Sequence, residues 1–186
     1  MSRALYSKGE SMEYLKYGVF ALFVLVLQGC ANPSIYNVNK SEAGILNNQS
    51  TIYVPRFEGR PDFVEESTDY FVSLLESNIS NTIIQGSVLR TESTDVISGG
   101  NLAPLELALQ SAKTNKADIL ITGKVTSHST IGTLNGFSTI RMYNVHTGKR
   151  VANFHEPSGL LIAHSEHQCV MAAVKETAEN VSGLFK

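Results

Sequence analysis

The sequence predicts an α+β fold, a two-layer sandwich in which a mixed sheet of about five strands packs on helices. Three observations predict it. Apolar residues recur at helical spacing in three separate stretches, and shorter segments alternate apolar with polar residues, as half-buried strands do. The two kinds follow one another in the order β-α-β-α-β-β-β-α. Helices interleaved with strands in this way cannot bury their stripes on one another, so they cover the sheet.

Each element has its own signal. Thr51 to Phe57, "TIYVPRF", is rich in β-formers but holds Pro55. Proline cannot donate to a ladder, so this segment is an edge strand or ends near Val54. After the turn "EGRPD", Asp62 and Glu65 have capping-box spacing, and a helix runs to about Ile84 with Tyr70/Phe71, Leu74/Leu75, Asn78/Ile79 and Thr82/Ile83 in its stripe. "GSVLRT" (86–91) is a short strand and "ESTDVISGGN" a loop. A second helix spans about Leu102 to Asn115, with Pro104 in its first turn and Leu105, Ala108, Leu109 and Ala112 on one face. From Ala117 the chain forms a three-strand meander. Its first strand holds Ile119, Ile121 and Val125; Gly132 to Gly136 turn; Phe137 to His146 return; His146 to Lys149 turn tightly; and Val151 to Phe154 close it. The last helix, about Ser165 to Leu184, aligns Val170, Ala173/Val174, Thr177/Ala178 and Val181.

The bulk numbers fit one domain behind a leader. The chain has 186 residues, 42% hydrophobic and 17% charged, with a formal charge of −2. That charge gives no reason to expect nucleic acid as a partner, and there is no like-charge run long enough for a binding stripe. There is also no low-complexity tract and no repeat at a solenoid period.

The amino terminus is different in character. Tyr17 to Leu27 is an uncharged, mostly apolar run of 11 residues behind Lys16. As a helix it would extend roughly 16 Å, about half of a bilayer's hydrocarbon core, so it matches the h-region of a secretory signal peptide rather than a membrane span. Of the two early methionines, Met12 offers the tidier start, because Glu10 interrupts the basic residues that follow Met1.

The run ends on Leu27-Gln28-Gly29-Cys30, which resembles the lipobox of bacterial lipoproteins. Gln28 departs mildly from the small or branched residue usual at its position. The resemblance implies cleavage between Gly29 and Cys30 and lipid attachment to the Cys30 thiol. Three fatty acyl chains, palmitate among them, would make the attachment effectively permanent, as a single chain would not. By resemblance to enterobacterial sorting rules, Ala31 after the cysteine favours the outer membrane. The expected organisation is therefore a signal peptide at 1–29, a lipid-anchored tether at 30–50 and an α+β domain at 51–186. Loss of 1–29 takes away three bases and two acids, leaving −3, and with Cys30 acylated one free thiol, Cys169. With no second thiol in the chain it has no disulfide partner, and its apolar neighbours mark it as a packed helix residue.

The element order, "Ile52-Tyr53-Val54", "Ala117-Asp118-Ile119-Leu120-Ile121-Thr122-Gly123" and the hairpin "Val145-His146-Thr147-Gly148-Lys149-Arg150-Val151" together resemble the amino-terminal domain of TolB and its relatives. Among these are the periplasmic domain of the curli secretion lipoprotein CsgG, the penicillin-binding-protein activator LpoB and the Pel polysaccharide lipoprotein PelC. The resemblance covers residues 50–185, and its short motifs mark a fold, not a chemistry. It implies a non-enzymatic binding or assembly component of an envelope complex, facing the periplasm, with an envelope protein or a second copy as partner and no cofactor. A homo-oligomeric ring, as in PelC-like relatives, is the alternative. CsgG-like pores insert long hairpins with apolar outward faces. The one long hairpin here, 117–146, bears Lys124, His128 and Arg141 instead, which argues against a pore.

The rival class is a metal-binding protein or enzyme. His164-x-x-His167-x-Cys169, with His155 and Glu156 upstream, is its best constellation, since two histidines three apart share a helix face and cysteine is a soft ligand. It lacks the paired CxxC spacing of zinc motifs. There is no GxSxG, P-loop, GxGxxG after a strand or HExxH. Ser158 with His155 or His164 has no orienting acid at a recognisable spacing. "Gly99-Gly100-Asn101" before a helix could seat an anion, but reads first as a flexible loop.

Overall fold

The computed structural model describes residues 35–86, 104–130, 133–158 and 165–185. In chain order these form β1 (Ile35–Val38), a 3-10 turn (Ala43–Ile45), β2 (Ile52–Val54), α1 (Pro61–Asn78), β3 (Ile83–Gln85), α2 (Pro104–Thr114), β4 (Ile119–Thr130), β5 (Thr133–Asn144), β6 (Arg150–Pro157), α3 (Glu166–Ser182) and a closing 3-10 turn (Gly183–Phe185). The class is the expected α+β, with one strand more than expected. Six strands form one mixed sheet in the order β1-β6-β5-β4-β2-β3.

The additional strand comes from the stretch read as tether. Ile35–Val38 pairs antiparallel with β6, from Ile35 opposite His155 to Val38 opposite Ala152, and the Tyr36 ring lies 4.9 Å from that of Phe154. Asn39 N donates to Val151 O and Ser50 Oγ to Ile45 O, so residues 35–50 lie along the domain. An Asn- and Ser-rich composition concealed four residues with ordinary β propensity.

Pro55 ends β2, as expected, but β2 is not an edge. It lies between β3 and β4, parallel to both, with Ile52 opposite Ile83 and Ile119. The edges are β1 and β3. α1 stops at Asn78 rather than near Ile84. The Asn78 side chain folds back on Leu74 O at 2.7 Å, and Asn81 Nδ2 donates to Asn47 O and Ser50 O at 2.8 Å each. The turn so fixed delivers the β-branched pair Ile83-Ile84 to the sheet. The strand expected at 86–91 lies, beyond Gly86, outside the described residues. The expected capping box does not form either. Arg60 is the N-cap, Pro61 opens the helix, Asp62 bonds Arg60 and Glu65 pairs with Arg56 at 2.7 Å.

In the meander, β4 and β5 run 12 residues each, and the turn expected at Gly132–Gly136 shortens because β5 has begun by Thr133. Gly136 sits inside the ladder opposite Ser127. A Cβ there would fall closer than 3.0 Å to the backbone of Cys169 and Val170, so the glycine lets α3 begin directly on the sheet. Gly123 does the same for the Phe57 ring. Gly148 (φ 69°) makes the β5–β6 turn possible.

The main core lies between one sheet face and the pair α1 and α3. Ile52, Ile119, Ile121, Ile140, Met142 and Phe154 meet Phe71 and Leu75 of α1 and Val170, Val174 and Val181 of α3, all fully buried. α2 packs on the opposite face over the β2–β4 end, setting Ala108 and Ala112 on Tyr53, Leu120 and Val145. α2 stops in a Schellman pattern, Ala117 N donating to Ala112 O, with Lys116 in the left-handed region (φ 54°).

Candidate functional site

The described members of the histidine and cysteine set do not converge. His155 alternates with the core residues Phe154 and Glu156, so it projects from the face away from α3; its Nδ1 lies 2.8 Å from Thr139 Oγ1, and its ring stacks on Phe137. His167, at the start of α3, pairs through Nε2 with Glu66 Oε2 at 2.7 Å. Cys169 is buried under that helix and its Sγ donates to Leu134 O. His164 and Gly99-Gly100-Asn101 lie outside the described residues. No three His, Cys, Asp or Glu side chains among the described residues are placed to hold a metal. Ser158 Oγ accepts from Gly136 N, and Ser158 N donates to Gly136 O.

Three polar clusters that sequence reading missed have structural duties. Arg60 donates to Asp62 and to Glu166 (2.6 Å), lies 4.6 Å above the Phe63 ring, and has its already high pKa raised further, first by the Asp62 hydrogen bond. Glu166 also accepts from Ser127 Oγ, so β4, α1 and α3 are fastened at one corner. Buried Glu42 accepts from Asn144 Nδ2 and Thr147 Oγ1 and bolsters the β5–β6 turn. Asp118 accepts from Thr51 N and meets His146 Nε2 at 3.1 Å. These contacts join residues up to 106 positions apart, beyond the reach of local spacing.

What remains available is surface. On the sheet face away from α3, ladder rows set Thr122 beside Arg141, Asn153 and Asn37, then Lys124 beside Thr139 and His155, then Thr126 beside Phe137 and Pro157. Of these, Thr126, Lys124 and Arg141 are exposed. Among the described residues, α2 covers the β2–β4 end of that face. The face is thus polar, cationic and part-aromatic. Such a patch suits recognition of another macromolecule better than chemistry on a small substrate.

An open mixed sheet with two helices on one face and a third at one end of the other defines a class of fold, and comparison places it. The fold is shared with PelC, one of the proteins whose resemblance the sequence carried. PelC from Paraburkholderia phytofirmans, crystallised as a dodecamer, matches 81% of this chain and 96% of its own at a TM-score of 0.56 and 10% identity. A Leu-to-Met variant of that dodecamer in a second crystal form matches 83% and 100%, at 0.53 and 12%. The lipoprotein GNA1162 from Neisseria meningitidis matches 69% and 96% at 15% identity, but at a TM-score of 0.40 it bears no weight. No protein-family model matches the chain, and no curated protein matches it by sequence. No helix among the described residues is long and apolar enough to cross a membrane.

Proposed function

We propose that this chain is a non-enzymatic envelope lipoprotein. Lipid attaches to the Cys30 thiol, cleavage between Gly29 and Cys30 follows, and the domain is held at the outer membrane, facing the periplasm, as a binding and assembly component of a secretion, surface-structure or cell-wall complex. Two observations support the reading: a fold shared with PelC, and Leu27-Gln28-Gly29-Cys30 closing an h-region ahead of that fold. The dodecameric state of PelC favours self-association as the mode of assembly. The described polar clusters, each engaged in holding elements together, are consistent with a protein that binds rather than reacts.

The test is Cys30→Ser, expressed in cells beside the native chain. The native chain should sediment with membranes in a form shortened by the signal peptide, and crosslinking should trap it with itself or an envelope protein. Cys30→Ser should remain unprocessed and lose lipid labelling. A variant as fully processed and as membrane-bound as the native chain would refute the anchor.

A further inference from the structure

Glu156 is in an unusual position for a carboxylate. It lies on the core face of β6, 1% exposed, opposite Ser138 of β5, whose Oγ is buried with no hydrogen-bond partner. Its one bonded partner among the described residues is a neutral amide, Asn180 Nδ2, at 2.9 Å to Oε1. No cation pairs with it there. Burying a carboxylate without a counter-charge is costly. The group also lines an open cleft of about 480 Å³ between the β1 edge and the end of α3, with Tyr36, Asn180, Gly183 and Leu184. Tyr36 is 56% exposed despite its size. Glu176, one helical turn before Asn180, has its pKa raised by burial and then by the charge of Glu156. The cleft therefore has an acidic floor, a second acid nearby, and an aromatic and an aliphatic wall.

Such walls select the ligand. A divalent metal ion needs about six oxygen ligands, which two carboxylates and an amide beside Tyr36 and Leu184 do not provide. A guanidinium on an aliphatic stem fits each part. Its fork pairs with a carboxylate, its plane lies against an aromatic ring, and its methylenes cover apolar surface. The chain itself presents such a group unpaired. Arg141 is exposed on the opposite face of the sheet, with no acid bonded to it among the described residues.

We propose that the Tyr36/Glu156/Asn180/Leu184 cleft of one copy receives Arg141 of a second copy. The proposal rests on the self-association reading above and gives it a seat. Donor and acceptor lie on different faces, so the contact is head-to-tail. An interface of that kind closes into a ring when its rotation permits.

The experiment measures the molar mass of the full chain in detergent over a concentration series. Arg141→Glu should raise the dissociation constant about 30-fold or more, as reversal of a buried charged pair does. Glu176→Arg, which sets a cation beside the cleft, should weaken association too. Glu156→Gln, which keeps the shape and the Asn180 bond, should weaken association in the same direction. The double variant Arg141→Glu/Glu176→Arg should recover association toward the native value, which a folding defect could not produce. An unchanged oligomer in Arg141→Glu, or no recovery in the double variant, overturns this seat while leaving self-association standing. A native chain that stays monomeric at every concentration removes self-association itself.

Discussion

Gly136→Ala tests whether α3 sits on the sheet as closely as the structure has it. The added methyl would meet the carbonyl of Cys169 and the amide of Val170, which are helix backbone and cannot rotate aside. Relief requires the first turns of α3 to lift, loosening Val170 and Val174 from the sheet. Overpacking of this kind costs about 1–3 kcal/mol. If lifting returns on the order of 40 Å² of apolar surface to water, that adds about 1 kcal/mol. Against this, alanine in place of glycine restricts the unfolded chain and gains about 0.4–1 kcal/mol. The net loss is about 1–3.6 kcal/mol, or roughly 2–14 °C in melting temperature for a domain of this size. Thermal unfolding followed by circular dichroism measures it. Gly44→Ala is the control, because nothing lies within 4 Å of a Cβ at that position. If Gly136→Ala melts within about 1 °C of both the native chain and the control, the helix-on-sheet packing is misplaced.

Other expectations are smaller. Lys116→Gly relieves a left-handed residue at the end of α2 and should stabilise by about 0.5–1 kcal/mol, read from the denaturant midpoint. Ser165→Ala removes the acceptor for Gln168 N at the α3 N-cap and should cost about 1 kcal/mol in the same assay. Glu176 has a pKa raised in the folded state, by burial first, then by Glu156 and Glu179, with Lys175 opposing. Its ionisation therefore removes stability as pH climbs from below the unfolded carboxyl value through the folded one. In an Arg141→Glu background, Glu176→Gln should raise the melting temperature at pH 7 and leave it unchanged below about pH 4. A gain that persists at the acidic end would contradict that sign.

Local periodicity made the long elements legible. The stripe of Phe71 and Leu75, the alternation of Ile119, Ile121 and Val125, and the α3 face of Val170, Val174 and Val181 each fall where pattern alone puts them. The short pieces were not legible. Three residues of β3 gain their partner only when Asn81 has turned the chain, and β1 is recognisable only by the β6 edge that receives it. Helical spacing through Thr82/Ile83 was a coincidence that a parallel strand outcompeted. The site was less readable still. The metal constellation set Glu156 beside His155, yet the pleat sends the two to opposite faces. Nothing in sequence spacing reports that Tyr36 and Asn180 meet across 144 positions beside it. The reading of Cys30 rests entirely on local order and lies outside the described residues.

The proposed function has the domain joining copies of itself at a lipid leaflet. The most direct measurement is the molar mass of the native chain extracted from membranes in mild detergent, determined by light scattering with the detergent contribution subtracted. The account predicts a discrete assembly of several copies that dissociates on dilution. A single copy at every accessible concentration would contradict it.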